Sequence, residues 1–371
     1  MIKLLIYNTF PAPYRADLFK LISKKYDTDI FYDRSSDSGR NKKWIDNDKN
    51  YNYYILEKKE DKKIIKNKIK KIKEYDFVII YEYSTLSAMK LMLKCIANKV
   101  PYFINCDGAI IHSNFLKDKI KKFFIKRAYV CLANGKSAEQ YFLKYGAKNE
   151  NIYFHNFSSL HKKDILDKPI SMEAKTKLKK DLGIKYKRNF ISVGSFIKRK
   201  GFDLIIEALK NSKNKQNNDI GFTIIGEGEE LENYKQKIKE YKIRNITFIS
   251  FKTKMELFKY YDASEVFVLP TREDIWGLVI NEAMARGLPV ITTDKCVAGL
   301  ELIDNEINGN IFKNESVNEL SELIEKYSKK SNEELIKFGE ISIAKIKDYT
   351  IENIAKAHIE LIENISQKIK F

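Results

Sequence analysis

Histidine and cysteine, the side chains that most often hold structural metals, are scarce in this sequence. It has four of each among 371 residues. The histidines show no metal-ligand spacing, which argues against a histidine-based metal site. The cysteines show no CxxC spacing and three fall in apolar runs, so we expect buried thiols in a reducing compartment. These residues are His112, His155, His161 and His358, and Cys95, Cys106, Cys131 and Cys296.

Long apolar runs are missing as well. The first residues, MIKLLIYNTFPAPYR, hold an apolar run that is too short for a signal peptide or a membrane-spanning helix and that breaks at Pro11. We therefore expect a cytoplasmic protein that is peripheral to the inner face of the cell membrane.

Acidic residues are outnumbered by basic ones, which gives a formal net charge of +18. Such a charge favours encounter with polyanions, such as anionic lipid, lipid-linked diphosphate, nucleotide or nucleic acid. A bias in coding composition is an equal alternative, because Lys, Ile, Asn and Tyr are all abundant. No nucleic-acid-binding module is recognisable, so we expect no specific nucleic-acid partner.

The chain is long enough to bury two ordinary hydrophobic cores. Short apolar runs alternate with helical patterns, which is typical of doubly wound parallel sheets. The predicted strands of the first half are 2–7, 29–32, 53–56, 77–81, 102–106, 129–132 and 152–154. Those of the second half are 190–193, 222–225, 246–249, 266–269 and 289–293.

The stretch 266–303 carries the clearest local pattern. A short β-branched run predicts a buried strand, and Gly277 then begins a helix that ends near Arg286. A second strand follows, so the stretch forms a βαβ unit, whose ligands lie at the carboxyl ends of the strands. The first amides of this helix, those of Leu278 and Val279, lack acceptors within the helix and predict an anion site.

Two carboxylates flank this predicted anion site. Glu282 lies on an otherwise apolar helix, where a buried carboxylate needs hydrogen-bond donors, and ligand hydroxyls would supply them. Asp274 lies eight positions upstream, in the loop over the helix start. An internal ion pair for Glu282 and a capping role for Asp274 explain the residues equally well.

The segment PTREDIWGLVINEAMARGLPVI resembles the nucleotide-sugar site of the group 1 (family 4) retaining glycosyltransferases, which have the GT-B fold. That family has two glutamates separated by seven residues. This chain has Asp274 and Glu282 at that spacing, with Glu273 as the alternative to Asp274. The resemblance is strongest in the C-terminal half. It implies an α/β protein of two Rossmann-like, doubly wound parallel-sheet domains that face each other across a cleft, and a nucleoside-diphosphate sugar as donor.

The same resemblance sets the expected domain boundaries. The N-terminal acceptor domain covers 1–165 and is completed by a return helix within 350–371. The lysine-rich segment 166–187 is the expected interdomain connection. The nucleotide-sugar-binding domain covers 188–349.

A basic turn, 194–201 (GSFIKRKG), follows the first predicted strand of the second domain. Lys200 lies next to a glycine just after a strand, where its compact ammonium charge could bind a diphosphate. The turn resembles the family's Gly-Arg to Lys-Gly segment, with Ser195 at the position of the usual arginine and Lys198 or Arg199 as its substitute.

The resemblance completes the expected donor site. The turn at Gly226 borders the nucleotide, and the backbone at Phe251 brackets the base. Lys200, Arg199 and the helix amides would stabilise the departing diphosphate, so we expect no metal and no other cofactor. The expected donor-binding residues are Ser195, Arg199, Lys200, Gly226, Phe251, Asp274, Gly277, Leu278, Val279 and Glu282.

On the acceptor side, Asp107 follows the predicted strand 102–106, at the edge where open α/β sheets bind ligands. Related enzymes often carry a histidine there, so either Asp107 or His112 is its counterpart, and an Asp-Gly turn is the alternative. Arg15, after the first strand, either neutralises a phosphate or is an exposed first-turn arginine. The expected catalytic residues are Asp107, Asp274 and Lys200.

Two basic amphipathic helices are predicted. The first, 58–73, has isoleucines along one stripe and is best explained as a surface helix docked on the sheet. The second, 116–127, places Phe123 and Phe124 among lysines, which suits an anionic membrane surface. The alternative is that Ile120 and Phe124 face the core.

These features predict a retaining glycosyltransferase that moves a hexose from a nucleoside diphosphate to a hydroxyl of a lipid-linked cell-surface glycan precursor. One alternative is a nucleotide-sugar epimerase of the same fold, from which transfer to an added acceptor would distinguish it. The other is a non-enzymatic polyanion-binding protein, which leaves Glu282 unexplained.

Overall fold

The structure, a computed structural model, describes residues 1–36, 51–111, 114–210 and 219–369. The chain divides into two compact units. The first comprises Met1–Ser159 and Tyr349–Phe371, and the second comprises Leu160–Asp348. Each unit holds one parallel sheet, as the alternation of strands and helices predicted.

The first sheet has seven strands among the described residues, in the order β3-β2-β1-β4-β5-β6-β7. They are β1 (Lys3–Asn8), β2 (Asp27–Tyr32), β3 (Tyr53–Ile55), β4 (Phe77–Ile80), β5 (Tyr102–Cys106), β6 (Val130–Ala133) and β7 (Ile152–Phe154). The intervening helices are α1 (Pro13–Ser23), α2 (Lys59–Lys70), α3 (Leu86–Asn98), α4 (Phe115–Ile125) and α5 (Lys136–Lys144). All seven strands were predicted, and the central ones are buried on both faces, as parallel sheets require.

The second sheet has six strands among the described residues, in the order β10-β9-β8-β11-β12-β13. They are β8 (Arg188–Val193), β9 (Ile220–Ile225), β10 (Ile246–Ile249), β11 (Val266–Leu269), β12 (Val290–Thr293) and β13 (Gly309–Phe312). Its helices are α6 (Met172–Asp181), α7 (Phe202–Lys210), α8 (Leu231–Glu240), α9 (Lys254–Asp262), α10 (Leu278–Ala285), α11 (Val297–Leu302), α12 (Val317–Lys329) and α13 (Asn332–Ile346).

The last helix, α14 (Ile351–Ile369), returns to the first unit and packs against α1. With α1 it covers one face of the first sheet, where Phe19, Ile22, Ile354 and Ile362 are buried. Helices α2 to α5 cover the other face, where Ile65, Leu91, Phe124 and Phe142 are buried. The basic helix α2 thus docks through its isoleucine stripe, as predicted.

Two features of the second unit differ from the predictions. The first is β13, which was not among the predicted strands. A Cβ on Gly309 would lie 2.1 Å from the carbonyl oxygen of Val290, so the glycine allows β13 to pair with β12.

The second difference concerns 166–187, the predicted interdomain connection. It lies inside the second unit and includes α6. Its lysines suggested a solvated linker, but Lys175 and Lys179 are buried. The Lys175 ammonium donates to the carbonyl oxygens of Asp262 and Ser264, which stabilises it without water.

In each sheet, successive strands are added first towards one edge and then towards the other, and the two series meet at one switch point. In the second sheet, this switch point lies between β8 and β11, which are neighbours. In the first sheet it lies between β1 and β4. Open α/β sheets bind ligands at such points, outside the carboxyl ends of the strands.

Candidate functional site

The switch point of the second sheet brings together two of the predicted catalytic residues. Lys200 lies in the single 3-10 turn that follows β8, and Asp274 lies in the loop that follows β11. The Lys200 Nζ is 2.5 Å from the Asp274 Oδ2, and each side chain is only 14% exposed. The sequence predicted both residues for the site but did not predict that they pair.

The start of α10 lies beside this ion pair. Gly277 precedes the helix in the left-handed conformation, with φ 99°, and it has no side chain to cap the helix. A Cβ at this position would lie 2.8 Å from the Cys296 Sγ and 3.8 Å from the Asp274 Oδ2, so the loop and the helix start are closely packed. The amides of Leu278 and Val279 begin the helix, at the positive end of its dipole.

Backbone hydrogen bonds hold the loop that carries Asp274. The Asp274 amide donates to the carbonyl oxygen of Lys295 at 2.9 Å, and its carbonyl accepts from the Val297 amide at 3.1 Å. The carbonyl of Trp276 accepts from the Ala298 amide at 2.8 Å. The loop is therefore anchored to the start of α11 and to the residue Lys295 before it, and the backbone at Asp274 is held on both sides.

Glu282 is partly exposed, not buried as its apolar neighbours predicted. The hydroxyl of Tyr261, which is fully buried, donates to the Glu282 Oε2 at 3.3 Å. Burial and then the nearby Glu282 charge raise the pKa of Tyr261 well above its ordinary value, so the phenol stays a donor. Glu282 thus has a hydrogen-bond partner inside the protein and still reaches the surface.

The other cations of the basic turn are less close to this pair. The Arg199 guanidinium donates to the carbonyl oxygen of Glu273 at 2.5 Å, so it holds the neighbouring loop. Ser195 and Lys198 are exposed. Lys200 is therefore the cation of this turn whose side chain meets the predicted site.

Gly226 and Phe251 follow the carboxyl ends of β9 and β10, on the other side of the switch point from β11. The Phe251 amide donates to the Glu227 carboxylate at 3.2 Å. Both residues lie at the edge of the sheet where the sequence placed them.

The first unit brings Arg15 and Asp107 together. The Arg15 guanidinium, with 3% of its side chain exposed, pairs with the Asp107 carboxylate. It also lies 4.4 Å from the ring centroid of Tyr81 and 4.9 Å from that of Phe157. Burial opposes the charge of Arg15, but Asp107 outweighs burial, and the pKa of Arg15 is raised. An exposed first-turn arginine was therefore the wrong alternative.

Asp107 has two further donors. The side-chain amide of Asn105 donates to its Oδ1 at 2.6 Å and that of Asn134 donates to the same oxygen at 3.3 Å. The Asp107 side chain is still 29% exposed, so its carboxylate is both fixed and accessible. His112, the other predicted counterpart, lies outside the described residues.

Two histidines that the sequence analysis left unassigned extend this network. The His155 Nε2 lies 2.9 Å from the Asn105 Oδ1, and the His155 ring meets the His358 ring edge-to-face at 4.8 Å. Burial is the main cause that holds the pKa of His155 well below its usual range and lowers that of His358 to about 4. Both rings are therefore neutral at pH 7. His155 directly follows the predicted strand β7, a position that could have identified it.

All four cysteines are buried thiols, as predicted. Within the described ranges, no group of three or more His, Cys, Asp or Glu side chains is arranged to hold a metal ion. No helix in the part of the chain that the structure describes is both long enough and apolar enough to cross a bilayer.

A sequence model of the family described as "Glycosyl transferases group 1" matches residues 174–343, within the second unit. Residues 174–343, slightly less than half of the chain, are therefore similar to a group 1 glycosyl transferase domain. An uncharacterized glycosyltransferase of Haemophilus influenzae is 29% identical over 170 residues, which cover 45% of this chain and 46% of the relative. The match thus spans about half the length of that glycosyltransferase.

Two further proteins are similar to this chain over more of its length. An uncharacterized 41.2 kDa protein in the cps region of Klebsiella pneumoniae is 26% identical over 269 residues, 70% of this chain and 72% of the relative. The crystal structure of Anabaena HepE in complex with UDP matches with a TM-score of 0.78 at 15% identity, over 98% of this chain and 100% of HepE. This likeness confirms the predicted GT-B fold.

Proposed function

We propose that this protein is a retaining group 1 glycosyltransferase that moves a hexose from a nucleoside-diphosphate donor to a hydroxyl of a glycan. The observation that carries the proposal is the Lys200–Asp274 pair beside the uncapped start of α10, at the switch point of the second sheet. A lysine ammonium and the N-terminus of a helix both attract anions, so the two together form a binding site for a diphosphate. The complex of HepE with UDP supports a nucleotide ligand for this fold.

Lys200 and the amides of Leu278 and Val279 would receive the charge of the departing diphosphate. An ammonium has three N–H donors, and the contact with Asp274 uses one of them. The protein would thus position the donor and stabilise charge as the sugar develops oxocarbenium character. We propose no metal or other cofactor for this step, because these groups supply the positive charge.

Glu282 would accept hydrogen bonds from the ribose hydroxyls of the donor. It lies one helical turn beyond Leu278, which is about 6 Å along the helix axis and suits a ribose next to a diphosphate. Its partial exposure leaves it accessible, and the hydrogen bond from Tyr261 orients it.

Asp107 would act on the acceptor side of the reaction. Three donors, from Arg15, Asn105 and Asn134, fix one oxygen of its carboxylate. A carboxylate that is fixed on one side and accessible can bind a sugar hydroxyl. Arg15 then serves as the partner of Asp107 and does not bind the phosphate itself.

The acceptor would be a lipid-linked precursor of a surface polysaccharide. The Klebsiella relative lies in a cps region, which supports a polysaccharide pathway. Helix α4 supports contact with an anionic membrane: Phe115, Leu116, Ile120 and Phe123 are exposed on it, at 73%, 71%, 43% and 40%. Phe124 instead packs into the core, as the alternative predicted, but Ile120, which that alternative also placed in the core, is exposed.

Cations accompany this apolar surface. The Lys119 Nζ lies 4.2 Å from the ring centroid of Phe115, and the Arg127 guanidinium lies 4.0 Å from that of Phe123. Aromatic rings with cations above them suit the headgroup region of an anionic bilayer.

A panel of nucleotide sugars tests the proposal. Any donor that binds the folded protein raises its melting temperature, and the increase grows with the logarithm of the donor concentration relative to its dissociation constant. We expect one nucleotide sugar to stabilise the wild type strongly and a Lys200→Met variant weakly. Equal stabilisation of both proteins, or none by any member of the panel, would contradict the assignment.

A further inference from the structure

Arg272 lies two residues before Asp274, and its guanidinium uses all of its hydrogen-bond donors inside the protein. A guanidinium has five N–H groups. Both Nη atoms donate to the Asp203 carboxylate at 2.8 Å, and Nη1 also donates to the carbonyl oxygen of Lys198 at 2.6 Å. The Nε and Nη2 atoms donate to the Glu315 carboxylate at 2.5 and 3.3 Å. These five contacts leave no donor for a phosphate.

The backbone beside Arg272 contacts the same turn. Its amide donates to the carbonyl oxygen of Arg199 at 2.8 Å, and the Thr271 hydroxyl donates to that oxygen at 3.0 Å. A Cβ on Gly201 would lie only 1.9 Å from the Pro270 carbonyl oxygen, so the two backbones are in close contact. The segment 270–273 therefore holds the carbonyls of the turn that carries Lys200.

The Lys200–Asp274 pair and the hydrogen bond from the Arg199 guanidinium to the carbonyl oxygen of Glu273 also hold this turn, which is short. It is a single 3-10 turn without a buried residue, and Lys198 and Arg199 are exposed. Short exposed turns open at low free-energy cost unless neighbouring groups hold them. Arg272 links the turn to the first turn of α7, through Asp203, and to the loop before α12, through Glu315.

We propose that Arg272 is a positioning residue, which holds the 198–200 turn so that Lys200 is directed at the donor diphosphate. This inference rests on the proposed role of Lys200. Asp203 and Glu315 together neutralise Arg272, and the hydrogen bond with Asp203 is the main cause that raises its pKa above the ordinary value. Arg272 therefore adds geometry to the site, while Lys200, which keeps N–H donors beyond its contact with Asp274, provides the cation that meets the diphosphate.

The competing explanation is that Arg272 binds phosphate directly. The Asp203→Asn variant distinguishes the two explanations, because they predict opposite changes in anion affinity. If Arg272 bound phosphate directly, loss of a competing carboxylate would strengthen anion binding. If Arg272 positions the turn, the weakened Arg272–Asp203 contact loosens Lys200 and anion binding falls.

The experiment measures binding of inorganic pyrophosphate by calorimetry, together with hydrogen exchange of the amides of 198–201. Arg272→Lys keeps the charge and loses the planar fork. We expect this variant to bind pyrophosphate about tenfold more weakly, because a misplaced charge-assisted hydrogen bond costs about that much affinity. We also expect faster hydrogen exchange of the amides in the turn. Asp203→Asn should change both readouts in the same direction.

The matched control is Arg286→Lys. The Arg286 guanidinium donates two hydrogen bonds to the Asp262 carboxylate, at 2.7 and 2.6 Å, and this contact lies away from the turn. This variant should lower the melting temperature and leave pyrophosphate affinity and exchange of the turn unchanged. Wild-type affinity in Arg272→Lys, stronger binding in Asp203→Asn, or equal loss of affinity in Arg286→Lys would overturn the positioning role. Failure of wild type to bind pyrophosphate, or equal binding by Lys200→Met, would overturn the proposed donor site and this inference with it.

Discussion

Lys200 and Asp274 form a largely buried ion pair, although they follow different strands and lie far apart in the chain. The ammonium nitrogen and the carboxylate oxygen are 2.5 Å apart. The pair exists because β8 and β11 are neighbours whose carboxyl ends meet at the same edge of the sheet. Any anion that binds at the start of α10 would meet a lysine whose position is already fixed.

The first prediction concerns this lysine. Lys200→Met keeps most of the aliphatic stem and removes the charge, so turnover should fall by roughly two orders of magnitude, as for loss of one strong charge-stabilising group. Lys198→Met, an exposed lysine in the same turn, is the control and should keep nearly full turnover. Steady-state rates of nucleoside-diphosphate release measure both, and equal rates for wild type and folded Lys200→Met would refute the role.

The second prediction concerns Glu282. Glu282→Gln should weaken donor binding by about 1.5 to 3 kcal/mol, the usual worth of a hydrogen bond to a charged group. Stability without donor should change little, because the amide oxygen still accepts from Tyr261. Melting of the donor-free protein and donor affinity, measured on the same variant, decide the matter. A large loss of stability with unchanged affinity would show that Glu282 is only structural.

The third prediction concerns the membrane. Wild type should bind vesicles that contain anionic lipid, and binding should weaken as salt rises, because surface attraction is screened over about 8 Å at physiological ionic strength. Changing Lys121, Lys122 and Lys126 of the α4 region to Gln should reduce binding, and so should Phe115→Ser with Leu116→Ser. The matched control changes the exposed Lys62, Lys63 and Lys66 of α2 to Gln. Equal losses from α2 and α4 would indicate general charge attraction and no docking through α4.

The fourth prediction concerns acid stability. The unfolded chain protonates His358 near the ordinary pKa of about 6.5, whereas burial lowers the pKa to about 4 in the folded chain. The unfolded state therefore binds more protons in this window, and stability is lost as the pH falls from about 6.5 towards 4. His155, whose pKa is lowered in the same direction, adds to the loss.

Urea unfolding at pH 7 and pH 5 measures this effect. We expect His358 to contribute no more than about 2 kcal/mol to the difference in the free energy of unfolding between pH 7 and pH 5. One pH unit corresponds to roughly 1.4 kcal/mol for one proton. His358→Gln cannot take up that proton, so its stability should depend less on pH over this range. An identical difference in wild type and variant would contradict the explanation.

Much of the fold could be predicted from the sequence because parallel strands are short, buried and separated by helical patterns. The bounds of α10 and its glycine start followed from local residues in the same way. The exception, β13, pairs through Gly309, whose role is to let another backbone approach. Nothing local in the sequence shows that approach.

The site was predicted less completely, since its contacts join distant parts of the chain. Lys200 and Asp274 were each identified, but their pairing depends on the order of the strands. Tyr261 and Arg272 were missed because a single side chain gives no sign of a partner many residues away. His155 was missed although it directly follows a predicted strand. The burial of Glu282 was overestimated, since helical spacing does not show which face of α10 remains uncovered.

The most direct test of a retaining glycosyl transfer uses the nucleotide sugar that stabilises the protein best and follows its anomeric carbon by NMR, with and without a glycan acceptor. We predict that the sugar moves to the acceptor with the anomeric configuration of the donor, and that donor consumption depends on the acceptor. A product of inverted configuration, or conversion of the donor to an epimer without acceptor, would contradict this account.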